Sequence, residues 1–220
     1  MEYDGARWEL LRRKREKAIR VMERLAPFSP VVHGSVARGD VNEDSDVDVA
    51  ILFPVEPYKV EAALGFSKSH GYIIMATPRS TPKVYLALDE KEEVVVSFPL
   101  GKLTTKEREF YAFGGELDLK GLKEGKRVPG VNKDLLLIVP TPYGHEEEPV
   151  IGREEHVAKV LGISAETVKE RVRLLTKRRE KGRTGVFLEF KFWGPAEEAI
   201  HELAKTNKAF RRRVVEEGLL

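Results

Sequence analysis

Two aspartates one residue apart, Asp46-Val47-Asp48, follow the pair Gly34-Ser35 after ten intervening residues. If Val47 to Phe53 is a strand, the two carboxylates point to one face. Carboxylates so placed repel each other, and one stays protonated unless a cation neutralises them. Their hard oxygens suit Mg²⁺ or Mn²⁺. Such an ion also binds triphosphate oxygens, so the pair can dock a metal–nucleotide complex and clamp an in-line displacement. Gly34 lets the backbone turn tightly and approach a ligand. The Ser35 hydroxyl and the amides after it can cradle phosphate oxygens, and Arg38 is a candidate charge-assisted phosphate contact. Asp-x-Asp alone reads as a solvated strand end, and Gly-Ser alone as an ordinary turn. The joint pattern is far more specific.

The surrounding elements must hold these groups. Residues 4–25 read as a helix, with Trp8, Leu11, Ile19, Met22 and Leu25 near a 3.6-residue period and Pro27 and Pro30 beyond its end. Its run Arg12-Arg13-Lys14-Arg15 reads as a solvated face. Val31-Val32-His33 is a short strand leading into Gly34. Val49-Ala50-Ile51-Leu52 buries the strand that carries the aspartates. A helix over 57–70 comes next, then strands over 72–77, 83–88 and 94–100, the last two forming a hairpin around Asp89-Glu90-Lys91-Glu92. Residues 101–134 give no clear element; within them Phe113-Gly114-Gly115 and the run Arg127 to Lys133 are loop chemistry, and Arg127 and Lys133 are candidate phosphate contacts. Leu135 to Val139 is a buried strand. His145-Glu146-Glu147-Glu148, in the Pro-, Gly- and Glu-rich stretch 140–152, is plain surface or a weak metal candidate.

The segment His33-Gly34-Ser35-Val36-Ala37-Arg38-Gly39-Asp40, continued by Ser45-Asp46-Val47-Asp48-Val49-Ala50-Ile51, resembles the DNA polymerase β-type nucleotidyltransferase superfamily. Its minimal archaeal and bacterial members show Gly-Ser-x-Ala-Arg-Gly followed by Ser-Asp-x-Asp. The specific match covers about twenty residues, and the order of strands and helices extends it loosely to about residue 100. The resemblance implies a mixed sheet flanked by helices, a nucleoside triphosphate (NTP) substrate with Ser35 near the triphosphate, and Mg²⁺ or Mn²⁺ on Asp46 and Asp48. It also implies a third carboxylate on a later strand, acting on the attacking hydroxyl. The family-like position, one residue before a hydrophobic residue and a proline, holds Ser97. Glu93 shares that strand face but lies about 13 Å away at a rise of about 3.3 Å per residue. It is the candidate third catalytic carboxylate beside Asp46 and Asp48.

Residues 156–172 have helix-turn-helix form. Val157, Val160 and Leu161 line one helix, Gly162 ends it, and Ser164 can cap the next, whose buried stripe is Val168, Val172 and Leu175. Lys169, Arg171, Arg173, Lys177 and Arg178 are the candidate nucleic-acid contacts, by resemblance to DNA-binding regulators, and Lys181 to Gly185 before a strand at 186–192 could form a wing. Such a motif also serves as a packing or protein-contact module. A final helix is expected over 195–217. The expected fold class is α+β, with a nucleotidyltransferase domain and its N-terminal helix over 1–140 and a winged helix-turn-helix-like domain with a C-terminal helix over 141–220.

Composition narrows the classes. A 220-residue chain that is 41% hydrophobic can bury a core. The absence of cysteine excludes disulfides and thiolate chemistry. The polar start Met1-Glu2-Tyr3-Asp4 does not read as a signal peptide, and no apolar run has membrane-spanning length, so a cytoplasmic protein with no membrane contact is expected. Abundant Lys, Arg and Glu, no Gln and three Asn suggest a hyperthermophilic source. Residues 1–150 hold 22 Lys/Arg against 25 Asp/Glu, and residues 151–220 hold 16 against 11. The basic excess is a solvated surface or a face for a polyanion. The leading expectation is metal-dependent transfer of a nucleotidyl group to an acceptor, which could be nucleic acid. The alternatives are a non-catalytic nucleotide- or DNA-binding regulator on a degenerate transferase domain, and a nucleotidylating toxin–antitoxin component whose partner protein the sequence does not name.

Overall fold

The computed structural model describes residues 1–182 and 185–218. Asp4 caps α1 (Gly5–Arg24) by accepting the Arg7 amide, and Leu10, Leu11, Ala18 and Met22 form its buried stripe. After β1 (Val31–His33) and the single turn α2 (Ser35–Arg38) come β2 (Val47–Ala50), α3 (Pro57–Ala63), β3 (His70–Met75), β4 (Lys83–Ala87) and β5 (Val94–Pro99). The stretch 101–134, where no clear element is legible in the sequence, folds into α4 (Thr105–Gly114), β6 (Glu116–Asp118), α5 (Leu119–Lys123) and β7 (Gly130–Val131). A capping box starts α4: the Thr104 side chain accepts the Glu107 amide while Glu107 accepts the Thr104 amide. The chain continues through β8 (Leu136–Thr141), β9 (Gly144–Pro149), α6 (Glu154–Leu161), α7 (Ala165–Lys181), β10 (Leu188–Phe192), α8 (Ala196–Thr206) and α9 (Lys208–Glu216). The single helix expected over 195–217 divides at Asn207, whose side chain caps α9 by accepting the Phe210 amide.

Seven strands form a mixed sheet in the order β10-β3-β4-β5-β2-β1-β6, with β2 and β5 parallel and the other neighbours antiparallel. Alternation sets its faces: Val47 and Val49 are fully buried while Asp48 between them is exposed. Residues of α1, α3, α8 and α9 share one core with Val49, Val84, Val96, Phe98 and Ile73 of the sheet. A second core joins Phe113 of α4 to Val131, Leu135 and Leu137 of the antiparallel sheet β7-β8-β9, and to Val157, Val168 and Val172 of α6 and α7.

The division expected at 140/141 differs from this arrangement. The stretch 140–152 is largely the hairpin β8–β9, register-paired from Leu136↔Pro149 to Thr141↔Gly144. The N-terminus joins it: the Tyr3 amide donates to the Tyr143 carbonyl, and the Tyr3 hydroxyl and His145 Nδ1 lie 2.6 Å apart. His145 is buried there, with Nε2 2.9 Å from Glu147. α6 ends at Gly162 in the left-handed region, and Ser164 caps α7 by accepting the Thr167 amide. The strand expected to flank a wing, however, extends the first sheet by pairing Leu188↔Met75 through Phe192↔Gly71. Its apolar side chains join the first core, which a two-residue period requires of a half-buried edge strand. Part of the expected wing, Arg183 and Thr184, lies outside the described residues.

Candidate active site

β1 delivers the chain to Gly34, whose φ of 79° and ψ of −143° suit glycine. The Gly34 carbonyl accepts the amides of Ala37 and Arg38, each at 3.0 Å, so α2 starts abruptly beyond the strand. Gly34 is the N-cap of α2 and has no side chain to cap it, and a β-carbon built there would meet open space. The amides of Gly34, Ala37 and Arg38 are thus taken within the protein, the first by the Gly115 carbonyl, which leaves those of Ser35 and Val36 as the turn's candidate donors.

β2 lies beside β1, with His33 opposite Asp48. Asp46 and Asp48 keep solvent contact on the face opposite the helix-covered core. The Asp48 carboxyl nevertheless sits among enough protein that burial, reinforced by the Asp46 charge and partly offset by Lys133, pushes it up to about 6. Burial is the larger cause, and the Asp46 charge adds the repulsion of a neighbouring carboxylate. Their oxygens fit a divalent ion that takes one or two carboxylates and fills its remaining positions with water and phosphate oxygens. No cluster of three or more metal-ligating side chains occurs among the described residues.

β5 runs parallel to β2 with Val95 level with Asp48 and Ser97 level with Ala50. Ser97 is only 9% exposed and pairs in register with Tyr85 on β4. α4 brings Tyr111 to this place, where its hydroxyl receives a hydrogen bond from Lys83 Nζ at 3.1 Å. Burial pushes the Tyr111 phenol up to about 12, with Ser97 offsetting part of the effect. Hydroxyl groups and an ammonium thus occupy the position where the sequence resemblance implies a carboxylate. His33 stays neutral between Phe110, Tyr111 and the strand: burial, then the charges of Arg38, Lys83 and Arg171, lower it to about 3.

Three expected site residues are engaged elsewhere. Glu93 precedes β5, and its carbonyl accepts the Val47 amide at 2.8 Å. Its carboxylate, however, pairs with Lys17 of α1 at 2.6 Å, which holds its pKa below the ordinary range. The helix lysine draws it away from the aspartates. Arg38, expected to meet phosphate, is 6% exposed. It forms two hydrogen bonds with Asp40 and donates to the Gly114 carbonyl at 2.6 Å. Because the turn is so tight, its one large cation faces inward as a brace. Arg127 is likewise committed, to the Gly144 and Thr141 carbonyls and the Trp8 ring.

Of the basic residues on α7, Lys169 pairs with Glu155 at 2.6 Å. Arg171 lies over the rings of Phe110 and Phe113 at 4.8 and 5.8 Å. The Arg173 Nε donates to the Lys169 carbonyl at 3.3 Å. Lys177 and Arg178 are exposed, with no bonded partner among the described residues. The first half of α7 is tied to α4: Glu109 accepts from Ser164 and Thr167, and Lys106 pairs with Glu166 and Glu170.

Sequence reasoning missed Tyr111 and Lys83. Lys83 carried a weak signal, as a cation at the start of a strand two positions from Tyr85. Tyr111 carried none, because nothing local places α4 over Ser97. No helix among the described residues is long and apolar enough to cross a membrane. No curated protein and no solved structure matches the chain. The model of the family described as nucleotidyltransferase domain matches residues 15–100, which hold the Gly34 turn, both aspartates and Ser97, and this match supports placing that segment in the nucleotidyltransferase superfamily.

Proposed function

We propose that the chain binds an NTP together with Mg²⁺ or Mn²⁺ and transfers the nucleotidyl group to a hydroxyl-bearing acceptor. An acceptor oxygen attacks the α-phosphorus, the bond from that phosphorus to the α,β-bridging oxygen breaks, and pyrophosphate leaves with those electrons. The acceptor proton goes to solvent or to an ionised carboxylate of the pair. Asp46 and Asp48 would hold the metal, and the Gly34 turn, through the Ser35 hydroxyl and the Ser35 and Val36 amides, would hold phosphate oxygens. The bound ion would supply charge neutralisation and alignment of the triphosphate.

The observation that carries this reading is the exposure of Asp46 and Asp48 beside the glycine turn at Gly34, where a β-carbon would meet open space. Isothermal titration of Mg·NTP against the wild type and the Asp46→Ala/Asp48→Ala variant tests it. The expected result is binding by the wild type and its loss in the variant. Equal affinity would remove the metal role.

A second reading is a regulator that binds nucleotide without transferring it. It is favoured by Ser97, Tyr111 and Lys83 standing where a third carboxylate would act. Incubating the protein with each labelled NTP and RNA, DNA or protein acceptors separates the two. Incorporation that depends on Asp48 excludes the regulator. A nucleic-acid acceptor remains part of the transferase reading, with exposed Lys177 and Arg178 as the α7 cations available to phosphate.

A further inference from the structure

Three glycines lock the phosphate turn to the second core. The Gly34 amide donates to the Gly115 carbonyl at 2.9 Å. Gly130 of β7 lies so close to this link that a β-carbon there would stand 2.6 Å from the Gly114 carbonyl and the Gly115 nitrogen. Arg38 spans the seam, donating to Gly114 at 2.6 Å and reaching the Val131 carbonyl at 3.5 Å. The turn between β7 and β8 is therefore fixed relative to Gly34.

That turn is braced from within and from α7. The Asn132 side-chain oxygen accepts the amides of Asp134 and Leu136 at 2.9 and 3.0 Å. Leu135 adopts a φ of 56° and buries its side chain in the second core. Arg179 of α7 pairs with Asp134 at 2.8 Å. At the tip, the exposed Lys133 side chain has no hydrogen bond or ion pair among the described residues. Its charge nevertheless reaches Asp48, whose carboxyl it stabilises in the ionised form. Arg15, Arg38 and Arg127, cations close to the Gly34 turn, are all occupied: Arg15 on the Val36 and Ala37 carbonyls, Arg38 on Asp40 and Arg127 on the Gly144 carbonyl.

We propose that Lys133 is a triphosphate-binding residue, delivered from the second core to the β- or γ-phosphate of an NTP whose metal rests on Asp46 and Asp48. This rests on the nucleotidyltransferase reading. A mobile ammonium on a rigid turn suits a point contact with phosphate. The β7–β8 turn is then part of the nucleotide site, and bound nucleotide ties the two cores together.

The test is titration calorimetry with Mg²⁺ and α,β-methylene analogues of each NTP, alongside the corresponding monophosphates. It compares the wild type with Lys133→Met, Lys133→Arg and, as a distant control, Lys59→Met. Lys133→Met is expected to weaken triphosphate binding about tenfold, the order expected for one charge-assisted contact, while leaving monophosphate binding nearly unchanged. Lys133→Arg should retain most of the affinity, and Lys59→Met all of it. Wild-type affinity in Lys133→Met would overturn the role of Lys133 alone, as would an equal loss for mono- and triphosphate. Failure of the wild type to bind any analogue would overturn the nucleotidyltransferase reading, and this inference with it.

Discussion

The Arg38 guanidinium and the Asp40 carboxylate face each other through two hydrogen bonds, Nε to Oδ1 at 3.0 Å and Nη2 to Oδ2 at 2.9 Å, with both side chains less than a tenth exposed. Removing one partner of such a buried pair leaves the other charge uncompensated, which typically costs about 3–5 kcal/mol. Arg38→Met is therefore expected to lower the urea midpoint strongly. Arg38→Lys should recover little of the loss, because an ammonium cannot reproduce the planar fork. A folded Arg38→Lys protein with weakened nucleotide binding would instead make Arg38 a ligand contact.

Asp48 sets a pH dependence. A divalent ion binds the ionised pair, and the Asp48 carboxyl titrates at about 6. Mg·NTP affinity should be full above pH 7 and fall as pH drops through about 6. Titrations at a series of pH values measure this. In Asp46→Asn the neighbouring charge is gone, so any residual binding should persist to lower pH. A profile flat between pH 5 and 8 would contradict the assignment.

The same shift predicts a cost to stability. The folded-state value exceeds the unfolded one, so folding favours the protonated acid, and the benefit is lost as pH rises through about 6. Without divalent ions, Asp48→Asn should melt at a higher temperature than the wild type at pH 8. The two should converge near pH 4. Calorimetric scans at both pH values check this, and adding Mg²⁺ and nucleotide should stabilise only the wild type.

Ser97→Asp would place a carboxylate level with Ala50 and within reach of Lys83 and Tyr111. If transfer is limited by activation of the acceptor hydroxyl, this substitution should raise the single-turnover rate by tenfold or more, within the range for general-base assistance. Quench-flow measurement with a labelled NTP reads it. An unchanged rate at unchanged nucleotide affinity would show that the Ser97 position does not govern the chemistry.

β10, α8 and α9 should be inseparable from the first core. Phe192 packs against Gly71, and Ile200, Leu203, Phe210 and Val214 belong to the same cluster. Phe192→Ala is expected to cost about 3–5 kcal/mol by denaturant titration, the usual range for a buried phenylalanine. A chain ending at residue 182 should lose its cooperative unfolding transition. Cooperative folding of that fragment would restore the simple division near residue 140.

Local pattern carried far in this chain. The alternation around Val47 and Val49 put Asp46 and Asp48 on one face, because a strand repeats every two residues whatever its neighbours are. Gly34 marked a backbone turn, and Gly162 with Ser164 marked the junction of α6 and α7, because those conformations are set by the residues themselves. Other outcomes depended on partners distant in sequence. Glu93 is drawn away by Lys17, Arg38 is turned inward by Asp40 and Gly114, and β10 finds its edge at β3 across more than a hundred residues. Tyr111 reaches Ser97 only because Phe113 docks α4 on the second core, and the turn that carries Lys133 is held beside the Gly34 turn only because Gly130 allows β7 to lie against Gly114. The sequence determined which groups could do chemistry and which way each strand presents them. Tertiary structure decided which charges stay free, since a side chain's partner is fixed by close packing between remote segments and not by its own neighbours along the chain.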